Sequence, residues 1–216
     1  MATVVLGFDP GGKNQFGWCV ASGTVDGKLV LRSNGTTSHA AGAVEMAIEE
    51  AQKCGIIAAA AIDSPLFWVP YGDRRADITV RAAMRRMGAV NLGGTVQHVN
   101  SLRGACLAQG MMTAHILRKK LPNIRLTESH PKALLWLIEA ATLQRPVGDV
   151  RIHHLDKFIQ CDSKGLCEHE RDAAIGAFTA WAMLNQHPGW RNLYTDEEEA
   201  FAPVFPIEYW MPISNA

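Results

Sequence analysis

Residues 4–20 read VVLGFDPGGKNQFGWCV, and this stretch decides the fold. The apolar run predicts a buried strand over Thr3–Phe8 that delivers Asp9 at its end. Glycines and polar residues then reverse the chain, and a second apolar run predicts an antiparallel partner strand over Phe16–Ala21. Such an arrangement holds one carboxylate rigidly at a sheet edge, although Asp-Pro-Gly is also a common turn sequence.

The rest of the chain alternates between helical and extended patterns. A third strand over Leu29–Arg32 completes a meander. We then expect, in order, a helix over Ala40–Cys54, a strand over Ile56–Ile62, helices over Ala76–Met87 and Leu102–Leu121, a strand over Ile124–Thr127, a helix from Pro131 and a helix over Arg171–Gln186. This order predicts an α/β fold with a mixed five-stranded sheet, three strands antiparallel and then two parallel, and helices on both faces.

Length and spacing set the expected domain organisation. A chain of 216 residues fits a single domain over residues 1–216. The glycine-containing segment 88–100 is predicted to be a loop or insertion. Residues 187–216 form a C-terminal extension that adds an edge strand or wraps the core.

Composition favours a cytoplasmic protein. The 21 basic and 21 acidic residues cancel, so no global field draws the chain to a membrane or a nucleic acid. Five cysteines without regular spacing argue against a disulfide framework. We see no signal peptide, and the longest purely apolar run, Ile56–Ile62, is too short to span a membrane.

Four acids fall at the ends of predicted elements. Asp9, Asp63 and Glu128 each end a strand, and Asp172 lies near the start of a helix. Neighbouring strand ends converge in a mixed sheet, so these carboxylates would meet and repel one another. A hard divalent cation, Mg²⁺ or Mn²⁺, would offset that repulsion and could serve phosphodiester hydrolysis. Each acid taken alone is more commonly a turn former.

Several short motifs resemble known families. The segment from Gly7 to Trp18 resembles the first hairpin of bacterial Holliday junction resolvases and of RNase H-like nucleases more widely. AIDSPL at 61–66, RAD at 75–77, ESHP at 128–131 and RDAA at 171–174 resemble domain-of-unknown-function family 429, described as predicted nucleases with an RNase H-like fold. The resemblance spans residues 3 to about 185, and it is based mainly on the order and spacing of the motifs.

This resemblance implies roles for individual residues. Asp9 would be shared between metal ions, Asp63 would be the second-strand acid and Asp172 the acid of the final helix. Glu128 would be an additional ligand, and His130 a proton carrier or substrate contact. Junction resolvases usually have a glutamate where this chain has Asp63.

Basic residues between Asp73 and Arg125 predict a nucleic-acid surface. This segment holds ten Lys or Arg residues against two acids. Arginines on the predicted helix would contact phosphates, and a solvated helix face is about as common a use of such residues. The predicted substrate contacts are Arg74, Arg75, Arg81, Arg85 and Lys13. DNA and RNA are not distinguished by these residues.

Three functions stay open. The first is a metal-dependent nuclease with Asp9, Asp63, Glu128, Asp172 and His130 at its site. The second is a sugar-kinase-like or actin-like ATP-binding protein, since residues 9–13 also resemble the first phosphate loop of that superfamily. Such proteins need two cores, so a homodimer would have to supply the second. The third is a non-catalytic RNase H-like binding module.

Overall fold

A computed structural model gives the architecture of the chain. It describes residues 1–70, 72–90, 92, 95–96, 104–143, 159–161 and 165–213. Most of the predicted loop 88–100 and the end of the extension, 214–216, lie outside these residues. The described part of 88–100 belongs to no helix or strand. The single-domain assignment of residues 1–216 stays a prediction.

The first three strands form the predicted meander. They are β1 (Ala2–Asp9), β2 (Phe16–Gly23) and β3 (Leu29–Thr37). β1 pairs antiparallel with β2, with Asp9 opposite Gly17, and β2 pairs antiparallel with β3. The β1–β2 connection is tight: the Gln15 amide donates to the Gly12 carbonyl at 3.0 Å, and Asn14 has a φ of 58°. The short reversal between two apolar runs therefore gives antiparallel pairing, and the glycine-rich turn sets its register.

The sheet continues with parallel strands on the other side of β1. β4 (Gly55–Ile62) pairs parallel with β1, and β5 (Arg125–Glu128) pairs parallel with β4. The chain end adds β7 (Glu208–Met211) beside β5, and β6 (Arg191–Asn192) antiparallel to β7. The predicted mixed sheet is confirmed, but it has seven strands in the order β3-β2-β1-β4-β5-β7-β6, two more than predicted.

Helices cover both faces of the sheet, as predicted. The described helices are α1 (Ala40–Gln52), α2 (Arg75–Arg86), α3 (Gly104–Lys120), α4 (Pro131–Leu143) and α5 (Glu168–Leu184). Gly7 of β1 faces α5, so its neighbour Phe8 faces the other side, together with its β4 partner Ile62. Ile62 lies against Gly110 of α3, which packs beside α1. None of the described helices has the length and hydrophobicity needed to cross a bilayer.

Glycines let α5 approach the sheet very closely. A Cβ on Gly7 would lie 1.8 Å from the carbonyl oxygen of Ala173, and one on Gly17 would lie 2.1 Å from that of His169. The backbone of α5 therefore lies directly on β1 and β2. The helix begins at Glu168, three residues before the predicted start, because the Glu170 carboxylate accepts from the Cys167 amide at 2.8 Å.

This close approach generates a prediction. Gly7→Ala should lower the free energy of unfolding by about 2–3 kcal/mol or more, because its methyl group meets backbone rather than a movable side chain. Gly12→Ala is the matched control, since the nearest atom to its Cβ lies 3.8 Å away. We expect a change within about 0.5 kcal/mol for the control. Chemical denaturation measures both, and equal effects would contradict the packing.

Candidate active site

Asp9 and Asp63 lie side by side at the ends of two parallel strands. Phe8 and Ile62 are register partners in β1 and β4, and each acid follows directly. The Asp63 amide donates to the Phe8 carbonyl at 2.9 Å, which continues the strand pairing to the acids themselves. Adjacent strands are about 4.8 Å apart, so the two carboxylates leave the sheet as neighbours.

The first turn of α5 adds a histidine and a third acid. His169 Nδ1 lies 2.6 Å from Asp9 Oδ2, and an ionised carboxylate only accepts, so the ring N–H donates. Asp172 is one turn further along, 4% exposed, and its buried Oδ1 accepts no hydrogen bond. The guanidinium of Arg171 is 3.5 Å from that oxygen. The helix that packs on Gly7 and Gly17 thus brings residues 169 and 172 to the end of β1.

Burial and mutual repulsion disfavour three negative charges here. Burial raises the pKa of Asp9 to about 6, partly offset by the hydrogen bond from His169 and increased by the charge of Asp172. Burial also raises the pKa of Asp63 well above its usual value, and the charges of Asp9 and Asp172 add to this. The pKa of Asp172 is raised by burial and lowered in part by Arg171. The positive charges of Arg171 and Lys132 only partly offset this effect of burial.

The three acids fit a hard cation. Carboxylate oxygens are the ligand atoms that Mg²⁺ and Mn²⁺ prefer. Asp172 Oδ1 accepts no hydrogen bond within the protein and so is free to bind a cation. Among the residues that the structure describes, Asp9, Asp63 and Asp172 do not place three carboxylate oxygens, one from each side chain, within 4.8 Å of one another. Like charges keep these oxygens apart, so a cation would have to draw them together.

Glu128 has a different partner. Arg74 Nη2 lies 2.7 Å from Glu128 Oε1, and Nη1 lies 2.9 Å from Oε2. The same guanidinium contacts Asp77 through Nε at 2.7 Å and Nη2 at 2.8 Å. All three side chains are fully buried. Although burial opposes ionisation, the charge of Arg74 lowers the pKa of Glu128 to about 2.

Asp77, Glu128 and His130 form a second acidic cluster. Their ligand atoms lie within 4.8 Å of one another, a spacing that a metal ion could use. The guanidinium of Arg74 already bonds both carboxylates in two-pronged fashion, and its ring-stacked position 4.4 Å from the Phe67 centroid fixes it there. The cation of this cluster is therefore the protein's own arginine.

His130 connects the two clusters. Its Nε2 lies 2.9 Å from Glu128 Oε1, and its Nδ1 lies 3.9 Å from Asp63 Oδ1. Burial by itself would lower the pKa of His130, but Glu128, Asp63 and Asp77 raise it. The ring stacks at 5.4 Å on Tyr209 of β7. His130 thus lies between the acids that Arg74 bonds and the three acids Asp9, Asp63 and Asp172.

The predicted phosphate contacts are dispersed. Arg74 is fully buried, so its guanidinium does not face a substrate. It precedes α2, which begins at Arg75, and so does not share a helix face with Arg81. Arg75 pairs with Glu198 at 2.9 Å, and Arg81 pairs with Asp73. Arg85 and Lys13 are exposed.

Lys132 was not among the predicted site residues. It lies in the first turn of α4, which begins at Pro131 directly after His130. Its Nζ lies 3.1 Å from Glu168 Oε1 at the start of α5. The sequence did contain a signal for this position. Pro131 marks the first residue of α4, so Lys132 lies at the start of that helix, directly after the end of β5.

The chain has a weak structural likeness to a known protein and no match to a protein family. No protein-family model and no curated protein matches the chain, so membership of domain-of-unknown-function family 429 stays a prediction. Among solved structures, the yeast mitochondrial Holliday junction resolvase Ydc2 is similar at 15% identity, over 85% of this chain and 80% of that one, with a TM-score of 0.29. At this TM-score the likeness supports no conclusion about activity.

The buried arginine generates a stability prediction. Arg74→Met leaves Glu128 and Asp77 buried without their cation, so the free energy of unfolding at pH 7 should fall by about 3–5 kcal/mol. Arg75→Met is the adjacent control, because that side chain is exposed and its pair with Glu198 contributes less than about 1 kcal/mol. Urea denaturation distinguishes the two. Similar losses in both variants would contradict the assignment of Arg74 as a buried counter-ion.

The raised pKa of Asp9 predicts a pH-dependent stability. Asp9 titrates near 3.8 when unfolded and at about 6 when folded, so the folded state binds the proton more tightly. Raising the pH from 4 to 6 therefore lowers the free energy of unfolding. The Asp9→Asn variant has no carboxyl group to ionise at this position. Its free energy of unfolding should therefore exceed that of the unsubstituted protein by about 1–2 kcal/mol at pH 7, without metal.

The matched control is Asp26→Asn, in the exposed β2–β3 turn. The pKa of Asp26 is lowered rather than raised, chiefly by a hydrogen bond from Thr24, so this substitution should give no such gain. Denaturation at pH 4, 5, 6 and 7 with a chelator present measures both variants. If the free energy of unfolding gained by Asp9→Asn does not grow with pH, ionisation of Asp9 is not the cause of the gain.

Proposed function

We propose that the chain is a divalent-metal-dependent nuclease whose cation ligands are Asp9, Asp63 and Asp172. One observation supports the proposal: Asp9 at the end of β1, Asp63 directly after β4 and Asp172 near the start of α5 lie at one end of the sheet, with raised pKa values and without an arginine that bonds them in two-pronged fashion. The nearby second cluster is the contrast that supports this proposal, since Arg74 bonds both of its carboxylates there.

The residues around these acids have separable tasks. His169 donates to Asp9 and so fixes the direction of its free lone pairs. Glu128 orients His130 through the bond to Nε2, and His130 presents Nδ1 towards Asp63. We assign Glu128 to this positioning task rather than to cation binding, because Arg74 occupies both of its oxygens. His130 retains the role of proton carrier or substrate contact.

A divalent cation at such a site supplies a lower pKa for water and charge neutralisation at phosphate. The chain's own residues supply the rest: α5 holds Asp172 and His169 in fixed positions over β1. A nucleic-acid phosphodiester is the substrate class that two basic, exposed side chains, Arg85 and Lys13, and the resemblance to predicted nucleases favour. DNA and RNA both remain substrates to test.

Isothermal titration with Mn²⁺ tests the binding step. The unsubstituted protein should bind Mn²⁺, and affinity should rise about tenfold per pH unit up to about pH 6, because the cation competes with the proton on Asp9. Asp9→Asn and Asp172→Asn should remove binding, and Asp26→Asn should not. Unchanged Mn²⁺ affinity in both site variants would sink the proposal.

Cleavage assays test the reaction. The panel includes single-stranded, duplex and four-way-junction DNA, RNA and an RNA–DNA hybrid, each with Mg²⁺ or Mn²⁺. Activity should fall at least about 100-fold in Asp9→Asn and Asp172→Asn, because ligand loss weakens cation binding and misplaces the substrate. A chain that binds nucleic acid equally well with and without Asp9 but cleaves nothing is a binding module. A thermal shift with ATP alone would favour the ATP-binding alternative.

A further inference from the structure

The ammonium of Lys132 lies at the rim of the three-acid site. Its Nζ is 3.1 Å from Glu168 Oε1, and both side chains are more than half exposed. Glu168 precedes His169, which binds Asp9, and lies four residues before Asp172 on the same face of α5. The Lys132–Glu168 pair therefore joins α4 to α5 within one helical turn of the proposed cation ligands.

The charge of Lys132 acts on all three acids. It lowers the pKa of Asp9, Asp63 and Asp172 against the larger effect of burial. Burial opposes the charged form of Lys132, but Glu168 and Asp172 raise its pKa, so the side chain is positively charged at neutral pH. Lys132 is thus a mobile counter-charge for acids that it does not directly bond.

Lys132 is also readily released from its partner. An exposed lysine–glutamate pair contributes less than about 1 kcal/mol, so a phosphate oxygen can replace the Glu168 carboxylate. Two of the arginines predicted from the sequence are held more firmly, since Arg74 is buried and Arg81 lies between Asp73 and the Val96 carbonyl. A lysine on a flexible stem suits a phosphate contact that forms only when substrate arrives.

We propose that Lys132 contacts a substrate phosphate next to the three-acid site and leaves Glu168 to do so. The inference rests on the proposed function, since it takes a nucleic-acid phosphate as the ligand. It also makes Lys132 a competitor of the cation. A positive charge near the acids weakens the binding of Mn²⁺, and divalent charge at the acids repels the ammonium outward, towards the substrate.

Two neutral substitutions separate this role from a structural one. Lys132→Met and Glu168→Gln both break the salt bridge, so a purely structural pair would give both variants the same phenotype. In the proposed role they act in opposite directions on substrate. Lys132→Met removes a phosphate contact, whereas Glu168→Gln frees the ammonium and removes a repelling charge. Lys119→Met, at the exposed C-terminal end of α3, controls for net charge.

The first measurement is Mn²⁺ affinity, which requires no cleavage. Lys132→Met should bind Mn²⁺ about threefold to tenfold more tightly than the unsubstituted protein, because one repelling charge is gone. Lys119→Met should leave the affinity unchanged. If Lys132→Met also leaves it unchanged, the inference is overturned whether or not the protein proves to be a nuclease.

The second measurement is kcat/KM against salt concentration, at saturating Mn²⁺ and with the best substrate of the panel. Lys132→Met should lower kcat/KM about tenfold and reduce the slope of log(kcat/KM) against log[salt] by about one phosphate contact. Glu168→Gln should lower KM about twofold. Losses in both variants would overturn the inference and leave the nuclease proposal intact. Absence of cleavage in the unsubstituted protein would overturn the nuclease proposal and, with it, the substrate contact of Lys132.

Discussion

The backbone contact between α5 and the glycines of β1 and β2 is the constraint on which the rest depends. The helix packs so closely on Gly7 and Gly17 that a Cβ at either position would clash with its backbone. The distance between α5 and the sheet is therefore shorter than side chains at these positions would allow. This short distance places His169 within 2.6 Å of Asp9 and carries Asp172 to the same end of the sheet. Without it, the strand-end acids would face open solvent and their pKa values would stay near the usual range.

The chain treats its two groups of buried acids differently, and the difference separates structure from chemistry. Asp77 and Glu128 share one guanidinium that makes two hydrogen bonds to each carboxylate within the protein. Asp9, Asp63 and Asp172 are left with a histidine, a distant lysine and a 3.5 Å arginine contact. Stability by itself would not retain the second arrangement, because unpaired buried charge costs free energy.

Much of the architecture follows from local patterns, whereas the pairing of charges does not. Apolar runs and turn residues predict β1 to β4, and strand-end positions bring Asp9 and Asp63 together. The same reasoning grouped Glu128 with them, because a sequence does not show that Arg74, 54 residues earlier, reaches it. The extension was predicted to add an edge strand or wrap the core. It supplies two strands, β6 and β7, whose bounds the sequence did not give because two and four residues carry no periodicity. Their pairing is a tertiary effect that local propensity does not encode.

The position of Tyr209 has a consequence for the order of folding. Its ring lies 5.8 Å from the Arg74 guanidinium and 5.4 Å from the His130 ring, so a strand near the end of the chain covers charges that come from its first two thirds. During synthesis those charges meet water until β7 docks beside β5. The aromatic cover over the ion pair therefore forms only after the residues of β7 have been added to the growing polypeptide, later than the charges that it covers.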